Sequence, residues 1–149
     1  MRIFLGADHA GFEFKEKLKK VFEKKKILYE DYGAYAKNED DDYPDYAFVV
    51  GTHVSRNHGA FGILLCGSAV GMAIAANKVQ GVRAVACQDT KTAKLSRQHN
   101  NANVLCLQAR KVKFQQVEKI VHVWLKTKFS HDERHRRRLH KISVYEAQR

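Results

Sequence analysis

One proline, nine glycines and three cysteines in 149 residues exclude several classes of protein at once. A chain this poor in proline and glycine is neither collagen-like nor a linker-rich polymer. The thiols, Cys66, Cys87 and Cys106, stand about twenty residues apart. An odd number at that spacing gives neither a disulfide framework nor the paired C-x-x-C ligands of a zinc site, so they read as free. No run approaches the roughly 18 apolar residues of a membrane span, and Met1 leads into a strand-like segment without a signal-peptide apolar region. A cytoplasmic protein with no membrane partner is the expectation.

Positive charge is plentiful. Lys and Arg number 27 against 16 Asp and Glu, a formal net charge of +11, while 44% hydrophobic residues suffice for one buried core. Length points to a single domain over 1–149. Such a balance suits a polyanion, an anionic surface or a small anionic substrate. The charge collects in two places: Lys15 to Lys26, which reads as the solvated face of a helix, and Arg110 to Arg149. Acidic residues gather between Glu30 and Asp45. No aromatic platform interleaves with the basic residues and no helix-turn-helix pattern appears, so nucleic acid is not the expected partner.

Periodicity gives an alternation of strands and helices. Arg2 to Gly6 reads as a strand, followed by a helix with Phe14, Leu18, Val21 and Phe22 on one stripe. Ile27 to Gly33 makes a second strand, and Pro44 opens a helix carrying Ala47, Val50 and Val54. Phe61 to Gly67 is the most apolar strand. A helix over Ser68 to Asn77, a strand Arg83 to Cys87, a helix Asp89 to His99 and a strand Asn103 to Leu107 follow. A helix with Val117, Ile120, Val121 and Trp124 inward precedes a basic final helix from Asp132 to Ala147. This is an α/β chain: a three-layer α/β/α, Rossmann-like sandwich with a mainly parallel five-stranded sheet and a C-terminal basic helix.

Ligands of such sheets sit beyond the carboxyl ends of the strands. Three polar groupings are read there: Gly6 to Gly11, Cys66 to Gly71, and Ser96 to Asn100. In the second, Gly67 and Gly71 allow a sharp turn whose N–H groups face an anion, although neither a dinucleotide fingerprint nor a P-loop is present. A helix terminus beside Cys66 would lower its thiol pKa, leaving it a nucleophile or a base; the alternative is a small buried hydrophobe. Asp8 and His9 are either site residues or a polar helix cap. His99 is a site residue or a partner of the helix dipole, and Asn100 a site residue or a left-handed C-cap. Arg134 and Arg138, four apart, share a face on which they could fork around one phosphate; a solvated basic face is the simpler reading. His131 and His135 match the zinc motif H-E-x-x-H only loosely, and no metal is expected.

Several segments carry a resemblance: Gly6-Ala7-Asp8-His9-Ala10-Gly11, Asp42-Tyr43-Pro44, Gly62 to Gly67, Gly71 to Lys78, Gly81-Val82-Arg83-Ala84, Ser96 to Leu105, and Arg134-His135 with Arg138. In this order, over nearly the whole chain, they resemble the type B ribose-5-phosphate isomerases, whose family includes the allose- and galactose-6-phosphate isomerases. The resemblance implies an aldose–ketose isomerase without metal or cofactor, acting on a sugar phosphate through an enediolate. It implies Cys66 as the base between the first two carbons and His99, assisted by Asp8, as the group that opens the sugar ring. Gly67, Ser68, Ala69, Val70, Gly71 and Asn100 would stabilise the enediolate. His9, Arg110, Arg134 and Arg138 would hold the phosphate, and Tyr43 would line the pocket. A homodimer or homotetramer with the site between subunits is also implied. Ser68 stands where the family usually has Thr, and Ala69 where many members have Gly. Ribose 5-phosphate is the expected substrate, with a six-carbon sugar phosphate as the alternative.

Overall fold

Residues 2–148 are described in the computed structural model, and the strand-helix alternation of the sequence is its framework. Five strands, β1 (Ile3–Ala7), β2 (Tyr29–Asp31), β3 (Phe61–Cys66), β4 (Ala84–Cys87) and β5 (Val104–Gln108), form one sheet in the order β2-β1-β3-β5-β4, every pair parallel. The helices are α1 (Phe12–Lys24), α2 (Tyr43–Arg56), α3 (Val70–Ala76), α4 (Thr90–Asn100), α5 (Phe114–Lys126) and α6 (Glu133–Glu146).

Alternate strand residues supply two cores. Ile3, Leu5, Ile63, Leu65, Leu105 and Leu107 point to the face covered by α1, α4 and α5, where Leu18, Phe22, Ala93, Val117, Ile120, Val121 and Trp124 meet them. Phe4, Leu64, Cys66, Val104 and Cys106 point to the face covered by α2 and α3, against Val50, Val54 and Met72. The three-layer parallel sandwich expected from the sequence is therefore present.

Differences in detail have physical causes. β2 shrinks to three half-buried residues at the sheet edge, pairing with β1 alone. α3 begins at Val70, because Ala69 takes a left-handed conformation at φ 70° that helix geometry cannot continue. The left-handed cap of α4 is Asn101, not Asn100, which is the last helical residue. The lysines of α1 are not all solvated either. Lys15 is fully buried, its Nζ 2.6 and 2.5 Å from the two oxygens of Asp31 on β2, and Lys19 reaches the same carboxylate at 2.8 Å. The pair ties α1 to the edge strand.

Candidate active site

From β1 the chain moves to β2 on one side, and it later adds β3 on the other. The crevice outside the carboxyl ends of β1 and β3 lies where the winding reverses, the usual ligand position in an open α/β sheet. It holds an open cleft of about 510 Å³, within the range of small-molecule pockets. Asp8 and His9 follow β1, Cys66 ends β3 with Gly67 and Ser68 after it, Gly71 stands in the first turn of α3, Tyr43 opens α2, and Arg110 follows β5; all line this cleft. Ala69 belongs to the same loop but is fully buried, while Val70 is about half exposed and outside the cleft lining.

Close approaches shape the floor. A Cβ at Gly71 would lie 2.7 Å from Cζ of Tyr43, so the aromatic ring can rest there only over glycine. The Arg110 side chain lies across Gly67, within 3.4 Å of where a Cβ would stand. Its backbone N–H reaches the Gly67 carbonyl at 3.4 Å, and that of Ala109 the Cys66 carbonyl at 2.9 Å. The loop after β5 is thus laced to the end of β3.

Cys66 is 4% exposed and accepts the backbone N–H of Ala69 at Sγ, 3.1 Å away. Contrary to the sequence reading, burial pushes its thiol pKa up, and the Asp8 charge adds to this; N–H donors from Ser68 and Ala69 only partly offset it. The sulfur is too dry for the donors to prevail. Asp8 is also raised, by burial first and with help from Asp41, although it accepts the Gly11 N–H at 2.9 Å.

Sequence reasoning missed Gln108 and Lys111, which line the same cleft, and Asp41, which bonds to His9. Gln108 ends β5 and Lys111 follows it, where the strand-end rule would have found them. Asp41 lies in the run Asp40-Asp41-Asp42, whose pattern does not reveal which carboxylate turns inward.

The remaining expected residues stand elsewhere. α4 runs from the carboxyl end of β4 back to the start of β5, so His99 and Asn100 lie at the amino edge of the sheet. The grouping Ser96 to Asn100 was read at a strand's carboxyl end; a residue preceding a parallel strand necessarily lies at its other end. An 11-residue helix spans roughly 16 Å, which separates His99 from the Cys66 edge of its own chain. The α6 helix begins beside it. His135 is buried, its ring centroid 4.3 Å from that of His99 and its Nδ1 2.8 Å from Ser130 Oγ. Burial lowers the His135 pKa, with His99 and Arg134 contributing. Arg134 and Arg138 are exposed on α6. His131, at φ 60°, precedes α6 and packs on Phe129, so the loose zinc pattern does not form one helix face with His135.

The ribose/galactose isomerase family model matches residues 3–142. A probable ribose-5-phosphate isomerase B of Mycoplasma pneumoniae is 42% identical over 147 residues, covering 99% of this chain and 96% of the relative. The crystal structure of ribose-5-phosphate isomerase B from Mycoplasma genitalium with bound ribulose-5-phosphate is similar at a TM-score of 0.95 and 43% identity, covering 99% and 97% of the two chains. The type B ribose 5-phosphate isomerase of Trypanosoma cruzi matches at a TM-score of 0.93 and 40% identity over both whole chains.

Proposed function

This chain belongs to the ribose/galactose isomerase family, and from that premise we propose that it interconverts D-ribose 5-phosphate and D-ribulose 5-phosphate through an enediolate. The observation that carries the reading is the cleft at the β1/β3 reversal, which sets the Cys66 sulfur beside Asp8, His9 and Arg110.

In this reading His99, assisted by Asp8, moves the proton that opens the furanose ring. The Cys66 thiolate then takes the proton from C2, and the electron pair left behind forms the enediolate. The same sulfur returns the proton to C1, and proton transfer between the two oxygens completes the ketose. Backbone donors of Gly67 to Gly71, with the Ser68 hydroxyl and Asn100, meet the enediolate oxygens; one such donor contributes about 3 kcal/mol in comparable sites. His9 and Arg110, with Arg134 and Arg138, hold the phosphate, whose binding energy fixes the reacting carbons in place. The scheme uses no metal and no cofactor.

Because His99, Asn100, Arg134 and Arg138 lie at the other edge of their own chain, they serve the cleft of a second copy, in a homodimer or homotetramer. Each chain acts as one isomerase domain over 1–149, Met1 and Arg149 lying outside the described residues. The setting is the cytoplasm; no described helix is long and apolar enough to cross a membrane. Purified protein assayed on ribose 5-phosphate and allose 6-phosphate tests the substrate. A kcat/KM at least about tenfold higher for the five-carbon sugar supports the reading, and the reverse order overturns it.

A further inference from the structure

The acidic loop before α2 crosses to the cleft at one residue. Asp40 and Asp42 are exposed, whereas the Asp41 side chain is only 7% exposed. Its Oδ1 accepts the backbone N–H of His9 at 3.0 Å and stands 2.7 Å from His9 Nδ1. Its Oδ2 accepts the Tyr46 hydroxyl at 3.0 Å. Both carboxylate oxygens are therefore engaged, and the bond to His9 joins residues 32 apart in sequence.

A carboxylate has no proton to donate, so in this pair Nδ1 carries the hydrogen and Nε2 is left for the cleft. A histidine held at backbone and ring by one carboxylate oxygen has its position and its tautomer fixed together. The Tyr46 hydroxyl holds that carboxylate from the far side; burial first, and then the carboxylate, push the Tyr46 pKa up to about 12. We propose that Asp41 is a positioning residue for His9: it fixes the imidazole with Nε2 turned to the phosphate of the substrate. The assignment rests on the isomerase reading for the sugar and for the phosphate, and on the structure alone for the hydrogen bonds.

The arrangement accounts for an otherwise adverse feature. An aspartate near an anion site would repel phosphate if its charge faced the cleft. Here Oδ1 faces His9 and Oδ2 faces Tyr46, so both oxygens are turned to donors and the cleft receives the imidazole.

Asp41→Ala, Asp41→Asn, His9→Ala and the double variant His9→Ala with Asp41→Ala provide the test, using the intact enzyme. Asp41→Ala is expected to raise KM for ribose 5-phosphate and the inhibition constant of inorganic phosphate together, by about tenfold, the low end of what loss of an orienting partner costs a histidine ligand. kcat should stay within about twofold. Asp41→Asn keeps an acceptor oxygen and should recover most of the loss. In the His9→Ala background the second substitution should add nothing, because the residue acts through the ring. By ¹⁵N NMR the His9 ring should lose its Nδ1–H form in Asp41→Ala. The proposal is overturned if Asp41→Ala leaves phosphate binding and the His9 tautomer unchanged, or if the two substitutions act additively. Lack of turnover by the native enzyme on ribose 5-phosphate would sink the parent reading alone, since phosphate titration and the His9 spectrum would still decide the role of Asp41.

Discussion

Raising the pH from 7 to 8 should increase kcat/KM for ribose 5-phosphate about tenfold, because the base must lose a proton that the fold helps it to keep. A thiol of ordinary acidity, near 8.5, is only about 3% thiolate at pH 7. Burial of Cys66 raises its pKa, so its ionised fraction is smaller still. In that regime the thiolate concentration rises tenfold per pH unit, and kcat/KM, which reports the free enzyme, should follow with unit slope. The substrate contributes little to this limb, since a phosphate monoester with a second pKa near 6 is almost fully ionised by pH 7.

The same shifts limit the window. Burial raises Cys66 and also Cys87, to about 11, and Cys106 well above the ordinary thiol. A pKa raised by folding means the unfolded chain releases its protons first. The stability these thiols contribute is therefore full below about pH 8.5 and is lost as pH climbs through the folded values. Initial rates of ketose formation at substrate well below KM, taken from pH 6.5 to 9 with Tm followed in parallel, keep the two effects apart. Cys66→Ala should lose about 10²- to 10⁴-fold in rate together with the limb, at little cost in Tm. A flat kcat/KM between pH 7 and 8.5 in a fully folded enzyme would refute the reasoning: either the thiolate already exists at pH 7, or Cys66 is not the base.

Separately inactive Cys66→Ala and His99→Asn chains, mixed and reassociated, should regain up to about a quarter of the native sites on the ring form of the sugar, since each mixed dimer holds one intact site; no recovery would place the two residues in one chain's site. His99→Asn alone should spare the open-chain sugar while slowing use of the ring form, and equal losses on both would remove His99 from ring opening. Lys15→Met should destabilise the fold by about 2–3 kcal/mol, less than the usual cost of breaking a buried pair because Lys19 still reaches Asp31; denaturant unfolding would show it, and an unchanged midpoint would contradict the buried pair.

Where strands and helices fall along the chain follows from patterns that local physics reads well. β1, β3 and β5 are continuous apolar runs because both faces of a parallel sheet are covered, and α5 shows its inner stripe of Val117, Ile120, Val121 and Trp124 without ambiguity. Long-range properties are less legible. Lys15 looks like its solvated neighbours until β2 brings Asp31 to it. Cys66 stands before a helix as expected, but the sequence does not disclose how dry the sulfur is. Ser96 to Asn100 was misplaced by reading proximity to a strand without asking which end it precedes. Asp41 was invisible because only the crossing of two loops singles it out among three aspartates.

If His99 serves the cleft of a second copy, as proposed, the surfaces beside the two groups of residues bear on how the copies would meet. Beside the Cys66 cleft, α3 exposes Val70 (52%) and Ile74 (59%); on the side of Asn100, α6 exposes Ile142 (53%) and Tyr145 (62%). Burying such side chains is favourable by about 25 cal/mol per Å² of apolar surface, so a second copy that covers them gains stability whatever the chemistry. If the α3 side of one copy meets the α6 side of another about a two-fold axis, the contact closes and completes two clefts at once. A head-to-tail contact of the same surfaces would complete one cleft per junction and, unless its rotation closed into a ring, leave unmatched surfaces at the ends. A closed arrangement would also give two of the tail's arginines a place. Arg134 and Arg138 are exposed on α6 of their own chain, and under the proposal they would meet a phosphate only against a second copy's cleft.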